Sequence, residues 1–180
     1  AVQLLLDSGA ECDRRDERGQ TALHYAAKEG VLTVFQLLLD RDAEGSNRST
    51  AFGTTPLHLA AQYGHEAILR LLLEKGVDVN KSTTMGQTAL HSAAGSWKRS
   101  STVIQLLLAY GAESEKRDEH GCTALHHAVK HGFFEALQIL LDYGAEIERC
   151  DGAGYTSLHF AAEQGFHEAV QLLLERGAEP

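Results

Sequence analysis

Two short apolar patterns alternate along this chain of 180 residues. In the first, Leu57, Ala60 and Ala61 stand at i, i+3 and i+4, which places them on one face of a short helix. In the second, EAILRLLLEKG from Glu66, the spacing turns Ile68, Leu71 and Leu72 inward and Glu66, Arg70 and Glu74 outward. Thr55 is a good N-cap, because its hydroxyl can accept a backbone N–H from the first turn. Pro56 follows at the first helical position, where its missing N–H costs nothing. Gly64 and Gly76 end the two helices. Helices this short are marginal alone, so each pair is expected to be held by its neighbours.

The pair of patterns recurs. Thr-x-Leu-His opens the first pattern at Thr21, Thr55, Thr88, Thr123 and Thr156, at spacings of 34, 33, 35 and 33 residues. A fixed period of this size is the signature of a solenoid whose units bury their apolar faces only against each other. A glycine stands two residues before each threonine (Gly19, Gly53, Gly86, Gly121, Gly154), which signals a turn requiring positive φ. Hydrophobic residues make up 43% of the chain and aromatics only 7%, so Leu and Ala carry the packing of thin layers.

Turn, short helix, tight turn and second helix, with Thr-x-Leu-His and a terminal Gly-Ala, resemble the ankyrin repeat. Asp16, Asp118 and Asp151 match that family's turn aspartate, and Thr50 and Thr83 replace it. Gly9-Ala10, Gly111-Ala112, Gly144-Ala145 and Gly177-Ala178 match its end-of-repeat pair, whereas Asp42-Ala43 and Gly76-Val77 depart. A non-glycine at Asp42 must turn left-handed or end its helix differently. The resemblance implies an all-α fold: an ankyrin-repeat solenoid of stacked antiparallel helix pairs joined by β-hairpin-like turns. Residues 1–180 read as one array, with a partial repeat over 1–15 and repeats over about 16–47, 48–80, 81–115, 116–148 and 149–180. Ala1 to Leu6 align with the end of a second helix, and HEAVQLLLERG shows no polar outer face. Both suggest a fragment of a longer array, since solenoids need capping repeats for solubility.

Charge changes the picture locally. The net charge is −9, which repels a phosphate backbone and argues against nucleic acid as a partner. Residues 113–180 carry 13 acidic against 5 basic side chains, whereas residues 79–112 carry no acid and three bases, Lys81, Lys98 and Arg99. A partner would meet an acidic C-terminal half beside a small basic island. That island holds AAGSWKRSSTV, an insertion of two residues containing Trp97, the only tryptophan. A further inserted residue lies between Gly45 and Gly53. Cys12, Cys122 and Cys150 form no CxxC pair and fit a reducing compartment. With no apolar run of membrane-spanning length and no signal-like start, the chain reads as intracellular, cytoplasmic before nuclear, with no insertion in a membrane.

Ten histidines raise the question of a metal. His24, His58, His91, His126 and His159 occupy the motif one per repeat, too far apart to share an ion. The resemblance implies that each hydrogen-bonds turn backbone and ties the turns together. His127 and His131 have the i, i+4 spacing of a metal pair, with His120 in the preceding turn. No HExxH pattern is present, and two exposed histidines without a fixed third ligand make a weak site. Cys122 lies near His120 but at an exposed turn position without a cleft, so nucleophilic catalysis lacks its constellation. Neither metal, cofactor nor small-molecule substrate is expected, and the segment is not an enzyme. LLEKGVDVN resembles the Asn-hydroxylation motif described for ankyrin repeats of animal cells, with Asn80 as the target.

In the ankyrin family, turn tips and first helices line a concave side and second helices a convex one. The implied function is a non-catalytic protein–protein interaction module that holds a partner protein along the concave face. The alternative is the regulatory or targeting arm of a larger enzyme or channel whose catalytic part lies outside this segment. The candidate partner-binding residues are Arg18, Gln20, Phe52, Met85, His120 and Tyr155 at the turns. Tyr25, Tyr63, His131 and Gln164 join them from the first helices, and Trp97 from the insertion. These positions differ from copy to copy while Thr, Leu, His, Ala and Gly stay the same, and their aromatic side chains are typical interface anchors.

Overall fold

The computed structural model describes residues 11–180, so the expected remnant of a second helix at Ala1 to Leu6 and the Gly9-Ala10 pair lie outside the described residues. Ten α-helices follow in five antiparallel pairs: α1 (Ala22–Glu29) and α2 (Leu32–Arg41), α3 (Pro56–Tyr63) and α4 (Glu66–Glu74), α5 (Ala89–Ala94) and α6 (Ser101–Ala109), α7 (Ala124–Lys130) and α8 (Phe134–Asp142), α9 (Ser157–Glu163) and α10 (His167–Glu175). A 3-10 turn over Ala43–Asn47 follows α2, and no strand occurs among the described residues.

Layers pack through the motif residues. Leu23, Leu57, Leu90 and Leu125 are all but fully buried, as are the small pairs Ala26-Ala27, Ala60-Ala61, Ala93-Ala94 and Ala128-Val129. These small side chains let first helices of neighbouring layers approach more closely than the Leu-rich second helices do. The second helices bury more than one stripe. In α4 the buried set is Ile68, Leu69, Leu72 and Leu73, whereas Leu71, expected inside, is only partly covered. A helix between two layers needs an apolar flank on each side, and that widens the stripe beyond a single-faced pattern.

The fifth layer shows what a neighbour normally covers. Leu158, Ala162 and Val170 correspond to positions buried in all four preceding layers, yet each is partly or fully exposed. Leu174 is 44% exposed where Leu141 is 9% and Leu73 is 4%. Apolar grooves of about 480 Å³ and about 300 Å³ run along this end.

Successive turns are laced edge to edge. Ala51 N donates to Arg18 O, Thr84 N to Phe52 O, Glu119 N to Met85 O and Gly152 N to His120 O, at 2.7–3.1 Å. This lacing dictates one of the turn glycines. Gly53 sits at φ +76, and a Cβ there would lie 2.8 Å from the Thr84 amide nitrogen. Gly53→Val is therefore expected to lower unfolding free energy by about 1–3 kcal/mol, through a strained dihedral and a displaced neighbouring turn. A urea midpoint equal to wild type would show that the turn tolerates a side chain. At Asp42 the helix ends without left-handed backbone. Its φ is −141, and its carboxylate accepts the Gly45 amide to start the 3-10 turn.

Candidate partner-binding face

Each motif histidine is a three-way bracket. In every copy the Thr backbone N–H donates to the His Nδ1 four residues into the motif, at 3.1–3.2 Å. The Thr hydroxyl meets the same nitrogen at 2.8–2.9 Å. An Nδ1 that accepts a backbone N–H carries no proton, so the proton is on Nε2. From there His24, His58, His91 and His126 donate to the carbonyls of Thr54, Gln87, Cys122 and Tyr155 in the next turn, at 3.0–3.3 Å. His159 makes only the first two contacts and is exposed. These rings are structural ties, as the family resemblance implies. Burial lowers the pKa of His24, His58 and His126, and it takes His91 to about 4.

The turn aspartates do a second job that the sequence pattern left unread. Asp16 Oδ1 accepts the Arg18 and Gln20 amides, and its Oδ2 accepts the Tyr25 hydroxyl at 2.8 Å. Asp118 repeats the arrangement with the His120 and Cys122 amides and His127 Nε2, the last at 2.8 Å. Tyr25 and His127 share one motif position, four residues after the threonine. Where Thr50 and Thr83 replace the aspartate, their hydroxyls still accept turn amides, and the matching position holds Leu59 or Ser92. Asp151 accepts the Ala153 and Tyr155 amides in the same way, but Phe160 at the matching position offers it no donor, so only Asp16 and Asp118 make the side-chain pair.

This pairing corrects the expectation of two exposed histidines. The His127 side chain is only 14% exposed and hydrogen-bonded to a buried aspartate, while His131 remains exposed. Burial depresses the His127 pKa, with the bond to Asp118 opposing it. For Asp118 burial acts upward, but the bonds from His127 and the Cys122 amide outweigh it and hold the carboxyl below its ordinary value. His120 does not join this pair. It points to Glu119, at 3.6 Å. Among the described residues no three His, Cys, Asp or Glu side chains converge as a metal-ligand set.

Cys122 is the second correction. It is 1% exposed, with Lys130 Nζ 3.2 Å from its sulfur, and burial pushes its thiol pKa up. The backbone carbonyl of Cys122 receives His91 Nε2. A buried thiol of raised pKa is a poor nucleophile. Asn80 is engaged at both ends of its amide, donating to Gly111 O and accepting from Glu113 N.

The remaining predicted residues fall at two ends of the first helices. Phe52 (64% exposed), Met85 (47%) and Tyr155 (45%) stand at the turns that precede α3, α5 and α9, near Arg18 and His120, which are exposed, and Gln20, which is half-buried. Tyr25 is 46% exposed although its hydroxyl is held by Asp16. At the opposite ends lie Tyr63, half-buried under Lys28, and the exposed His131 and Gln164.

Trp97, 70% exposed, belongs to this second group, separated from Phe52 and Met85 by the length of the first helices. Its loop is bolted in both directions. Ser96 Oγ donates to Gln62 O, Ser100 Oγ to Glu66, and Arg99 Nη2 to His131 O. Arg99 holds φ +48, the only described non-glycine in the left-handed region, and Lys98 Nζ sits 4.1 Å over the Trp97 ring.

The described residues thus form five layers of helix pairs, bracketed by Thr-x-Leu-His and carrying variable side chains on the first-helix side. The family model for ankyrin repeats matches in three copies, over residues 1–83, 44–118 and 98–180. The chain belongs to the ankyrin repeat family. It is also 49% identical over 43 residues to serine/threonine-protein kinase 12 of Arabidopsis thaliana, a match covering 24% of this chain and 9% of that protein. No helix among the described residues is long and apolar enough to cross a membrane.

Proposed function

We propose that the array is a non-catalytic recognition module that holds a partner protein along the face formed by turn tips and first helices. One observation carries this reading. The residues that bracket and pack the layers are the same in every copy, whereas large apolar side chains exposed on this face differ from copy to copy and serve no internal contact that the fold repeats. Phe52, Met85, Tyr155 and Trp97 are the anchors, because exposed aromatic and Met side chains surrounded by polar neighbours supply most of the energy at interfaces. No disulfide joins the described cysteines, which supports a reducing, intracellular setting.

The similarity to part of a kinase favours a second reading, in which the array is the regulatory or targeting arm of a larger polypeptide. The binding act is the same in both. They differ in whether the bound surface lies on another molecule or on the same chain.

The test combines Phe52→Ala, Tyr63→Ala and Tyr155→Ala in one variant. Circular dichroism is expected to match wild type and the melting temperature to fall only slightly, because Phe52 and Tyr155 are exposed while Tyr63 is half-buried at the edge of the core. Partners cross-linked to the wild-type array and identified by mass spectrometry are expected to be lost. A control variant with Gln105→Ala, Gln138→Ala and Gln171→Ala, all exposed on second helices, is expected to keep them. Equal recovery with both variants would rule out the first-helix face as the main interface.

A further inference from the structure

The middle of the first-helix face holds a polar recess of about 250 Å³ that spans the second, third and fourth repeats. Gln62, Gln87, Ser92, His127 and His131 contribute to its lining. Four of these groups keep hydrogen-bonding capacity in reserve. Gln62 and Gln87 are used through their backbone carbonyls, which receive Ser96 and His58, and their side-chain amides have no partner among the described residues. His127 spends Nε2 on Asp118 and keeps Nδ1, whereas His131 spends Nδ1 on the His127 carbonyl and keeps Nε2.

The surrounding charge is the reverse of the protein's own. Residues 79–112, which supply the middle of the recess, contain no carboxylate in a chain of net charge −9. Lys98 and Arg99 lie on the loop that follows Gly95 of the lining, a loop tied to Gln62 by Ser96 and to the His131 carbonyl by Arg99. The side chain of Asp118 is 2% exposed and already receives three hydrogen bonds, so it presents little free negative charge. Glu66, at the start of α4, receives Ser100 Oγ. The Gln62 and Gln87 amides are donors as they stand, and His127 Nδ1 and His131 Nε2, lone pairs in the neutral rings, donate in the imidazolium form; beside a basic loop this set complements one ligand chemistry, a carboxylate.

We propose that this recess receives an aspartate or glutamate side chain from an acidic, extended segment of a partner protein, with Trp97 packing against that segment at the rim. The proposal rests on the first-helix face being the binding face, and adds the chemistry of what binds there. The groups facing His127 are Asp118, His91, His131 and Lys130, and His131 is faced by His127 and Arg99. A carboxylate seated between His127 Nδ1 and His131 Nε2 favours the imidazolium form of His127, which burial otherwise disfavours. Binding therefore takes up a proton and strengthens as pH falls from 8 to 6, above the range where the ligand's own carboxylates protonate.

Trp97, the sole tryptophan, supplies the readout. The chain is titrated with a short unstructured peptide of alternating Glu and Leu, and with a twin carrying Gln for each Glu, while Trp97 fluorescence is followed. The acidic peptide is expected to saturate, to bind about tenfold or more tighter than its twin, and to tighten toward pH 6. Gln62→Ala with His131→Ala, both at exposed positions, is expected to weaken it about tenfold at unchanged melting temperature. Absence of saturable binding by the acidic peptide overturns the proposal. Equal affinities for the two peptides also overturn it, and if the Gln62 and His131 substitutions weaken both, the first-helix face stands as the interface. If acidic-peptide binding ignores those substitutions but is lost on changing second-helix residues, the first-helix face fails as well.

Discussion

Replacing Leu125 with alanine is expected to lower the unfolding free energy by about 2–5 kcal/mol, whereas Leu158→Ala lowers it by far less. The two residues hold the same motif position in successive repeats. Leu125 is 1% exposed, sealed by the layers on either side, so truncation leaves a cavity that close-packed neighbours cannot collapse into. Leu158 is only half-buried, because no layer among the described residues packs against its outer side, and water reaches part of the side chain. The loss at Leu125 spreads beyond its own repeat, since each helix pair is stable only through its neighbours. Urea unfolding followed by circular dichroism checks both variants, and equal losses would show that the outer face of the fifth layer is packed like an internal one.

Acid is expected to weaken the array in two stages. The rings of His24, His58, His91 and His126 are neutral brackets whose pKa values burial depresses below the unfolded value. The unfolded chain therefore binds more protons than the folded one as pH falls below about 6.5, and stability declines from there toward about 4, where His91 itself protonates. For His91 alone the loss across that window is on the order of 3 kcal/mol. The carboxyls of Asp16, Asp118 and Asp151 are held below their ordinary value. Their contribution is present above the unfolded carboxylate pKa and disappears below it, as pH falls through the depressed folded values. Melting temperature measured from pH 8 to pH 3 checks the order of the stages. His91→Gln is expected to be less stable at pH 7 and to show a shallower slope between pH 6.5 and 4. An unchanged slope would mean that His91 is not a buried neutral group.

The period, the helix pairs and the core leucines were legible in the sequence because each is a repeated local pattern, and five copies of Thr-x-Leu-His leave little freedom in how they stack. What escaped reading was set between repeats or by burial on two sides. Cys122 has the sequence context of an exposed turn residue and is buried, with the Lys130 ammonium against its sulfur. His127 reads as a surface side chain on its own helix, and only the folded turn brings Asp118 to its ring. Leu71, expected inside, is only partly covered, and Leu69 is buried, because a single-faced helical count does not describe a helix packed between two layers. The position of Trp97 at the far end of the first helices from Phe52 follows from the order of elements. Its fixed orientation depends on three hydrogen bonds to neighbouring repeats that no spacing in the sequence announces.

The brackets have one more consequence. Four of the five motif histidines are received by a backbone carbonyl of the next turn, and the residues that own those carbonyls are Thr54, Gln87, Cys122 and Tyr155, four unrelated side chains. A peptide oxygen is present whatever residue occupies the site, so the tie makes no demand on side-chain identity there. Every link also runs in one sense along the chain, from a histidine to the turn that follows. A whole unit can therefore be duplicated, deleted or exchanged and each histidine will still find an oxygen waiting. Such an architecture lets its recognition residues evolve, or be redesigned, one by one without renegotiating the joints that hold the layers together.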